Sequence, residues 1–359
     1  MEGNALHADH HRHDRRGIAY ALAAAVLFGA STPGAKLLLV GVSLVLMAGL
    51  LYLGSGVGLG LWSLLRMTAS GHRRDARLAR RDLPWLMAVV LVGGIVGPAL
   101  LMWGLARTPA STSSLLLNLE GVFTLLIAWI AFRENVDWRI GLGAGAILLG
   151  AAVLTVAGPL GGTQGAWWIA AACLLWAVDN SLSRQISGAD PLQIAALKGG
   201  AAGIVNTTLA LGQGASWPAS GTLAAGAAVG AVGYGLSLAL YVAAQRHLGS
   251  ARTAAYFSLA PFVGAVLGVL LLGEAASVRL LAAGALMGVG LYLHLAERHE
   301  HLHGHEVQMH EHAHTHDAHH RHEHTPADPP GEPHSHAHAH GDLVHQHPHY
   351  PDLHHRHGH

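Results

Sequence analysis

Charged residues and cysteine are scarce in this sequence. Asp, Glu, Lys and Arg make up 12% of its 359 residues, about half of the share found in a soluble domain. The one cysteine, Cys173, excludes an intrachain disulfide and any cysteine-based metal cluster. Lys and Arg number 21, as do Asp and Glu, so the net charge of zero gives no basic surface for nucleic acid. The P-loop, nucleophile-elbow and HExxH motifs are missing, which argues against a membrane enzyme.

Hydrophobic residues, by contrast, make up 51% of the chain and form long runs with few charges. A bilayer core requires about 20 apolar residues per helix, so these runs are predicted to cross a membrane. Glycine is abundant in the runs, and small residues let membrane helices approach closely. The sequence therefore predicts an all-α membrane protein. Its ten expected spans are residues 17–38, 41–65, 84–105, 110–132, 138–157, 165–184, 191–212, 219–244, 250–272 and 277–296.

Arginine and lysine are distributed unevenly between the connecting loops. If the N-terminus is cytosolic, 18 of the 21 lie on or near the cytosolic side, and six arginines fall between Arg66 and Arg81. The loops around Gly161 and Ser216 carry no charge. This positive-inside pattern predicts a multi-pass protein of the plasma (inner) membrane with both termini in the cytosol.

The two halves of the sequence repeat. Phe132-Arg133-Glu134 closes the fourth span and Leu272-Gly273-Glu274 closes the ninth, 140 residues later (274 − 134). Phe28 in the first span and Trp176 in the sixth are each followed by a cation eight residues on. Five spans per repeat is an odd number, so the second copy must be inverted in the membrane. Inverted repeats are typical of secondary transporters, whose substrate site lies at the repeat interface.

Over about residues 17–296 the sequence resembles the drug/metabolite transporter superfamily, specifically proteins with two EamA-type repeats. The features that carry the resemblance are Trp176, Pro261, Arg133-Glu134 and Gly273-Glu274. The resemblance implies a secondary transporter that moves amino acids, metabolites or related small molecules without ATP hydrolysis. The sequence departs from the pattern at Glu120-Gly121, which occupies the position matched by Ala260-Pro261 in the second repeat.

The domain organisation follows from these boundaries. A cytosolic N-terminal segment (1–16) precedes a first repeat of five spans (17–157) and a second repeat of five spans (158–296). Residues 297–359 form a histidine-rich cytosolic tail, which is expected to be disordered because it has too few apolar residues to bury a core.

Glu120 is the strongest candidate for chemistry within the spans, because an ionisable group deep in a membrane is costly unless it is solvated or paired. It lies near the centre of the fourth span, and the 3–4 spacing of Ser113, Glu120 and Thr124 predicts one shared helical face. A carboxyl there could bind and release a proton in a proton-coupled carrier. Alternatively, it could be a protonated group that makes a structural hydrogen bond.

The sixth and seventh spans carry further polar residues. Trp176, Asp179, Asn180 and Ser183 form a stripe on an otherwise apolar helix, which is expected to face the bundle interior. Lys198 and Asn206 share a face of the next span. Asp179 and Lys198 lie at matching depths, about 8 and 10 Å from the ends of neighbouring antiparallel spans. The spacing therefore predicts an ion pair, either a structural clamp or part of a gate.

Ionisable residues near span ends have simpler explanations. Lys36, Arg184 and His294 are expected to snorkel toward the lipid headgroups. Glu134 and Glu274 are expected to pair with nearby arginines at the interface. The prolines within spans are predicted either to free backbone groups toward a cavity or to make packing kinks; they are Pro33, Pro98 and Pro261.

The tail contains 23 histidines among residues 299–359. Alternation of histidine with other residues brings several imidazoles within reach of one ion, and neutral imidazole binds Zn, Ni, Co and Cu. Binding could be functional, or incidental to a low-complexity tail. The predicted metal ligands are His301, His303, His305, His312, His314, His316, His334, His336, His338 and His340.

Three functions are consistent with the sequence. The first is a carrier of a small organic solute, possible proton coupling included, with no required cofactor. The second is a divalent-metal transporter fed or regulated by the tail, although the spans contain no paired histidines. The third is a membrane-anchored metal buffer or sensor, which would need neither polar stripes nor an inverted repeat. The expected partners are lipid, a small solute and divalent metal ions, with a homodimer as a further option and nucleic acid excluded.

Overall fold

A computed structural model describes residues 2–69, 78, 80–133, 136–155, 163–186 and 190–295, together with four tail segments. Its contacts divide the chain into two units, Met1–Leu295 and Ala296–His359. The first unit is entirely helical over its described residues. Its helices are α1 (Glu2–Leu38), α2 (Leu44–Ala69), α3 (Leu83–Val89), α4 (Gly97–Arg107), α5 (Ala110–Leu116), α6 (Leu119–Ala131), α7 (Trp138–Thr155), α8 (Thr163–Ser183), α9 (Pro191–Gly212), α10 (Ser220–Val229), α11 (Ser237–Leu248), α12 (Ser250–Phe257), α13 (Ala260–Leu272) and α14 (Val278–Leu295).

The predicted helical membrane fold is confirmed, and each of the ten expected spans is helical. Eight helical stretches of the described chain are long and apolar enough to cross a membrane by themselves. The other two are the shorter apolar helix Val278–His294 and α8, whose second half carries Asp179 and Asn180. Eight of the nine tryptophans are exposed toward the ends of these stretches, as in the aromatic belts of membrane proteins. They are Trp62, Trp85, Trp103, Trp129, Trp138, Trp167, Trp168 and Trp217.

The repeat is visible in the irregularities of the helices. A π-helical segment, Val90–Val96, joins α3 to α4, and a second, Gly230–Leu236, joins α10 to α11, 140 residues later (230 − 90). Arg133 and Gly273, also 140 apart, both have left-handed backbones, with φ of 54° and 67°. A left-handed conformation costs a non-glycine residue about 1–2 kcal/mol. The two halves therefore share local backbone geometry as well as sequence.

Helix contacts between the halves come in matched pairs. Helix α1 packs on α11 and α13, and its counterpart α8 packs on α4 and α6. Helices α2 and α9 pack on each other, as do α7 and α14. Exchanging the halves turns each of these pairings into another of the set, as expected for two related halves around a shared interface.

Glycines set the closest approaches between the halves. A Cβ on Gly143 of α7 would lie 2.7 Å from the Gly290 carbonyl oxygen of α14. A Cβ on Gly264 of α13 would lie 2.7 Å from the Gly29 carbonyl oxygen of α1. Any side chain at these positions would push the helices apart, so the small residues are what permit the tight packing.

The second unit contains four short strands, β1 (His299–His305), β2 (Met309–His314), β3 (His334–Ala339) and β4 (Leu343–His349). Strand β1 pairs with β4 and β2 with β3, both antiparallel. The composition predicted a disordered tail, and these segments depart from that expectation. Their histidines recur at every second residue, which is the period of a β-strand, and the paired backbones satisfy their own hydrogen bonds without a core.

Candidate functional site

The π-helical segment of the first half leaves backbone carbonyls without their usual helical donors. The Gly97 N–H donates to the Val92 carbonyl, five residues back, instead of to Gly93. The next residue, Pro98, has no N–H, so neither a π-type bond to Gly93 nor an α-type bond to Gly94 can form there. Exposed carbonyl oxygens in the middle of a span must find other donors.

Side chains from three helices supply those donors. The Tyr52 hydroxyl of α2 and the Trp176 Nε1 of α8 each donate to the Gly93 carbonyl oxygen at 3.0 Å. The Asn206 Nδ2 of α9 lies 3.3 Å from the Ile95 carbonyl oxygen and 3.5 Å from that of Gly94. Trp176 is the one tryptophan that lies mid-span instead of in the belts. The π segment is therefore a polar centre to which both halves contribute.

An ion pair lies directly beside this centre. The Lys198 Nζ of α9 donates to Asp179 Oδ2 of α8, which confirms the predicted pairing. Both side chains are largely buried, with 6% of Asp179 and 18% of Lys198 exposed. The Lys198 chain packs against Gly94, where a Cβ would lie 3.4 Å from Lys198 Cγ. Asp179 Oδ1 is buried and has no hydrogen-bond partner among the described residues.

A second polar pair lies at the contact between α6 and α8. Asn180 Nδ2 donates to Glu120 Oε1 at 2.9 Å. Glu120 is half-buried, Asn180 is exposed, and a Cβ on Gly121 would meet no atom within 4 Å. Since exposed polar groups at mid-span are costly in lipid, this arrangement fits a face that opens onto a hydrated cavity.

Aromatic side chains continue from the polar centre into the second half. The rings of Tyr52 and Tyr234 are 5.9 Å apart, and that of Tyr234 is 5.7 Å from Phe28. Phe28 is 5.3 Å from Phe257, which is in turn 4.9 Å from Tyr241. Tyr234 lies in the second π segment, 140 residues after Gly94. One half thus presents free carbonyls to the interface and the other presents an aromatic surface.

Two of the predicted site residues are separated from this cluster. The fourth span is interrupted at Leu117 and Asn118, whose N–H groups donate only three residues back. Ser113 is in α5 and is fully buried, so the predicted face shared with Glu120 does not run through a continuous helix. Thr124, in α6 with Glu120, is half-buried. The 3–4 spacing argument failed because it assumed regular helix across the break.

The snorkelling expected of Lys36 and His294 is wrong. The Lys36 Nζ donates to the Leu105 and Thr108 carbonyl oxygens beyond the end of α4, the latter at 3.0 Å. The His294 Nε2 lies 2.9 Å from the Ile140 carbonyl oxygen. Arg184 lies over the Phe132 ring, 4.7 Å from its centroid. Each of the three side chains turns toward a neighbouring helix, because unpaired carbonyls or an aromatic face were within reach.

Glu274 likewise does not act as an interfacial partner of arginine. Its Oε1 and Oε2 accept from the backbone N–H groups of Ala110 and Ser111, at 2.6 and 2.8 Å. A carboxylate is favourable at a helix N-terminus because the first N–H groups lack helical partners. Together with Lys36, it ties α1, α13 and the junction between α4 and α5 into one cluster, here named the Lys36 end of the bundle. Glu134, its counterpart, lies outside the described residues.

Tyr52, Tyr234 and the π segment were missed by the sequence argument. The two tyrosines had a usable signal, since each carries a hydroxyl in the middle of an apolar run. The Gly93-Gly94 pair ahead of Pro98 was a weaker one. Nothing in composition distinguishes a π segment from an α-helix, since the change is a one-residue shift in hydrogen bonding.

The predicted metal ligands fall into three groups. His301, His303, His312, His314, His334, His336 and His338 occupy opposed positions in the two strand pairs, whereas His305 is opposite Leu343. His316 and His340 lie outside the described residues. The pairing adds histidines that were not among the predicted ligands: His299, His310, His345, His347 and His349. Where side chains are described, no group of three or more His, Cys, Asp or Glu could hold a metal ion.

Comparison with known proteins gives a family for both halves. Residues 15–156 and 163–296 each match the EamA-like transporter family. A solved crystal structure shares the fold with a TM-score of 0.56 at 18% identity, covering 78% of this chain and 96% of the other.

Three relatives match over shorter stretches. An uncharacterized transporter of Methanothermobacter thermautotrophicus is 29% identical over 228 residues, 61% of this chain and 66% of that protein. A probable terminal-alkyne amino-acid exporter of Streptantibioticus cattleyicolor is 33% identical over 132 residues, 34% of this chain and 44% of that protein. A probable 4-amino-4-deoxy-L-arabinose-phosphoundecaprenol flippase subunit of Aeromonas salmonicida is 36% identical over 73 residues, 20% of this chain and 61% of that protein. Each match spans less than two thirds of the relative.

Proposed function

Because this chain belongs to the EamA-like transporter family, we propose that it is a secondary transporter of a small organic solute, such as an amino acid or a metabolite. The observation that carries the proposal is the Asp179–Lys198 pair beside the free carbonyls of the π segment. Such a site offers an anion, a cation and hydrogen-bond acceptors within one polar centre. These are the groups that a zwitterionic solute would engage.

The aromatic residues suit the remainder of such a solute. Trp176 and Tyr52 are fixed by their bonds to Gly93 and so present rigid ring faces next to the ion pair. One relative is named as an amino-acid exporter and another as a flippase subunit for an aminosugar lipid. Both named solutes carry an amine, which a carboxylate such as Asp179 would accept.

Glu120 is the group we assign to proton coupling. It lies mid-span, it is half-buried, and it accepts a hydrogen bond from Asn180, which is exposed. Asn180 is one residue from Asp179, so a change of charge at Glu120 would be felt at the ion pair. This link gives a physical route by which a proton alters the affinity for the solute.

Alternating access requires that one end of the site be closed while the other is open. The Lys36 end supplies the closed side, because Lys36 and Glu274 tie α1 and α13 to the α4–α5 junction. The Glu120–Asn180 pair marks the accessible side. With both termini in the cytosol, the Lys36 end faces outward. Reporter fusions after Gly162 and Ser220 should then read extracytoplasmic, and one after Arg74 cytoplasmic, whereas the opposite reading at two of these sites would reverse the orientation.

A divalent-metal carrier has less support. The described side chains of the bundle offer no group of three metal ligands, and nitrogen- or oxygen-rich coordination is what such ions need along a path. A metal buffer held by an inert anchor is also poorly supported, since an anchor needs neither the ion pair nor the matched halves.

A transport assay tests the proposal. The protein is reconstituted into proteoliposomes with a panel of amino acids and with Ni, Co and Zn, with and without residues 299–359. We expect an organic solute to be carried by both forms in metal-free buffer. Transport of a divalent ion alone, lost when the tail is removed, would replace this function with metal transport.

A further inference from the structure

The register of the tail strands places histidines directly opposite histidines. In the β1–β4 pair the opposed residues include His299 with His349, His301 with His347, and His303 with His345. The β2–β3 pair repeats the pattern, and its opposed residues are His310 with His338, His312 with His336, and His314 with His334. Each strand pair therefore carries three successive histidine–histidine pairs.

The paired positions in each set lie on one face of their strand pair. Residues two apart on a strand share a face and are roughly 6.6 Å apart along it. Directly opposed residues of an antiparallel pair have Cβ atoms about 4.5–5.5 Å apart. Two neighbouring pairs thus mark the corners of a rectangle of about 5 by 7 Å. An imidazole at each corner is the donor set that tetrahedral zinc takes, with Zn–N bonds of about 2.0–2.1 Å.

We infer that each strand pair is a built binding site for a divalent transition-metal ion, held by four imidazoles from two neighbouring histidine pairs. Both sets of pairs have the same register, since the residue numbers of every opposed pair sum to 648. Strands β2 and β3 are thus nested between β1 and β4 in one hairpin arrangement. The middle pair of each set, His301–His347 or His312–His336, belongs to both rectangles that the set can form.

This inference is separate from the transport function and makes the tail more than a collection of histidines. A tail that binds metal by density alone would hold many ions weakly, with affinities that depend only on the number of histidines. The register instead sets one tight site per strand pair, about two per chain when four ligands hold each ion. Histidines outside the strand pairs would add only weaker binding.

The test uses the full-length protein in detergent and a variant that keeps the composition unchanged. The substitutions His301→Leu, Leu302→His, Gln346→His and His347→Gln move the middle pair of β1–β4 to the opposite face. Tightly bound Zn is counted by equilibrium dialysis and elemental analysis, and bound Co is examined by its visible absorption, which is intense in tetrahedral sites. We expect about two tight ions in the wild type and about one in this variant.

Two controls make the result decisive. His319→Asn with His320→Asn removes two histidines that no strand pair contains and should leave both tight ions in place. His312→Asn with His336→Asn, added to the face-exchanged variant, should abolish the remaining tight ion and the tetrahedral cobalt spectrum. An unchanged count in the face-exchanged variant would overturn the inference. So would an equal loss in the His319 and His320 control, because density alone would then account for binding.

Discussion

The carboxylate of Asp179 on α8 accepts from the ammonium of Lys198 on α9, immediately beside the free carbonyls of the π segment. Both charges are largely withdrawn from solvent, and the second carboxylate oxygen has no partner among the described residues. A buried pair with a spare acceptor is not built for stability alone, because the desolvation of both ions offsets most of their attraction. The spare oxygen is where an amine of the solute would bind.

The first prediction concerns this pair as a unit. Asp179→Ala leaves Lys198 as an unpaired buried cation and should lower the free energy of unfolding by about 3–5 kcal/mol. Adding Lys198→Ala should recover part of that loss, because no isolated charge then remains. Thermal unfolding in detergent measures both, with the exposed Trp168→Phe as a control that should change little. Equal destabilisation by the single and double variants would show that the two residues do not act as a pair.

Pro98 is expected to matter through what it withholds. Pro98→Ala restores an N–H that can donate to the Gly94 carbonyl, so the segment should shift toward regular α-helix. The carbonyls bound by Tyr52, Trp176 and Asn206 would then turn away from the site. We expect at least normal thermal stability with transport reduced by roughly tenfold or more, since about 1.4 kcal/mol of lost binding is a factor of ten. Pro191→Ala, at the first turn of α9, is the matched control and should transport normally.

Glu120 should control the pH dependence of transport and not the amount of protein. Glu120→Gln keeps the size of the side chain and an acceptor for Asn180 but cannot take up a proton. We expect normal membrane abundance with transport that is either lost or no longer changes with pH. Asp82→Asn, before α3, controls for removal of a carboxylate elsewhere. If Glu120→Gln kept the wild-type pH profile, another group would have to carry the proton.

Glu274 is expected to hold the Lys36 end closed. Glu274→Gln removes the charge that the N–H groups of Ala110 and Ser111 bind, so this end should open more often. In a Cys173→Ser background, the buried Ser113 is replaced (Ser113→Cys) and labelled with a membrane-impermeant thiol reagent. Labelling should be several-fold faster with Glu274→Gln than without it, whereas Asp137→Asn should have no effect. Equal rates in all three would remove Glu274 from the gate.

Much of this fold was predictable because membrane spans and paired charges leave strong signals in sequence. The apolar runs set the ten helices, and the repeated ends at Glu134 and Glu274 indicated two halves. The Asp179–Lys198 pair followed from depth alone, since each helical residue advances about 1.5 Å. These inferences needed only regular helices in a bilayer.

The site itself depended on departures from regular helix, which composition does not record. The π segment before Pro98 exposes carbonyls to Tyr52, and the break at Leu117 separates Ser113 from Glu120. The contacts of Lys36 and Glu274 join residues more than sixty positions apart, so only the packed structure could reveal them. In the tail, composition predicted disorder, whereas the alternation of histidines at period two is compatible with the observed strands.

The central claim is that a solute crosses the membrane through the centre formed by Asp179, Lys198 and the π segment. Counterflow of a labelled amino acid in proteoliposomes tests it most directly, with wild type, Asp179→Asn and Trp168→Phe reconstituted in equal amounts. We predict exchange by the wild type and by Trp168→Phe, and at least a tenfold slower exchange by Asp179→Asn. Exchange by Asp179→Asn at the wild-type rate would contradict the account.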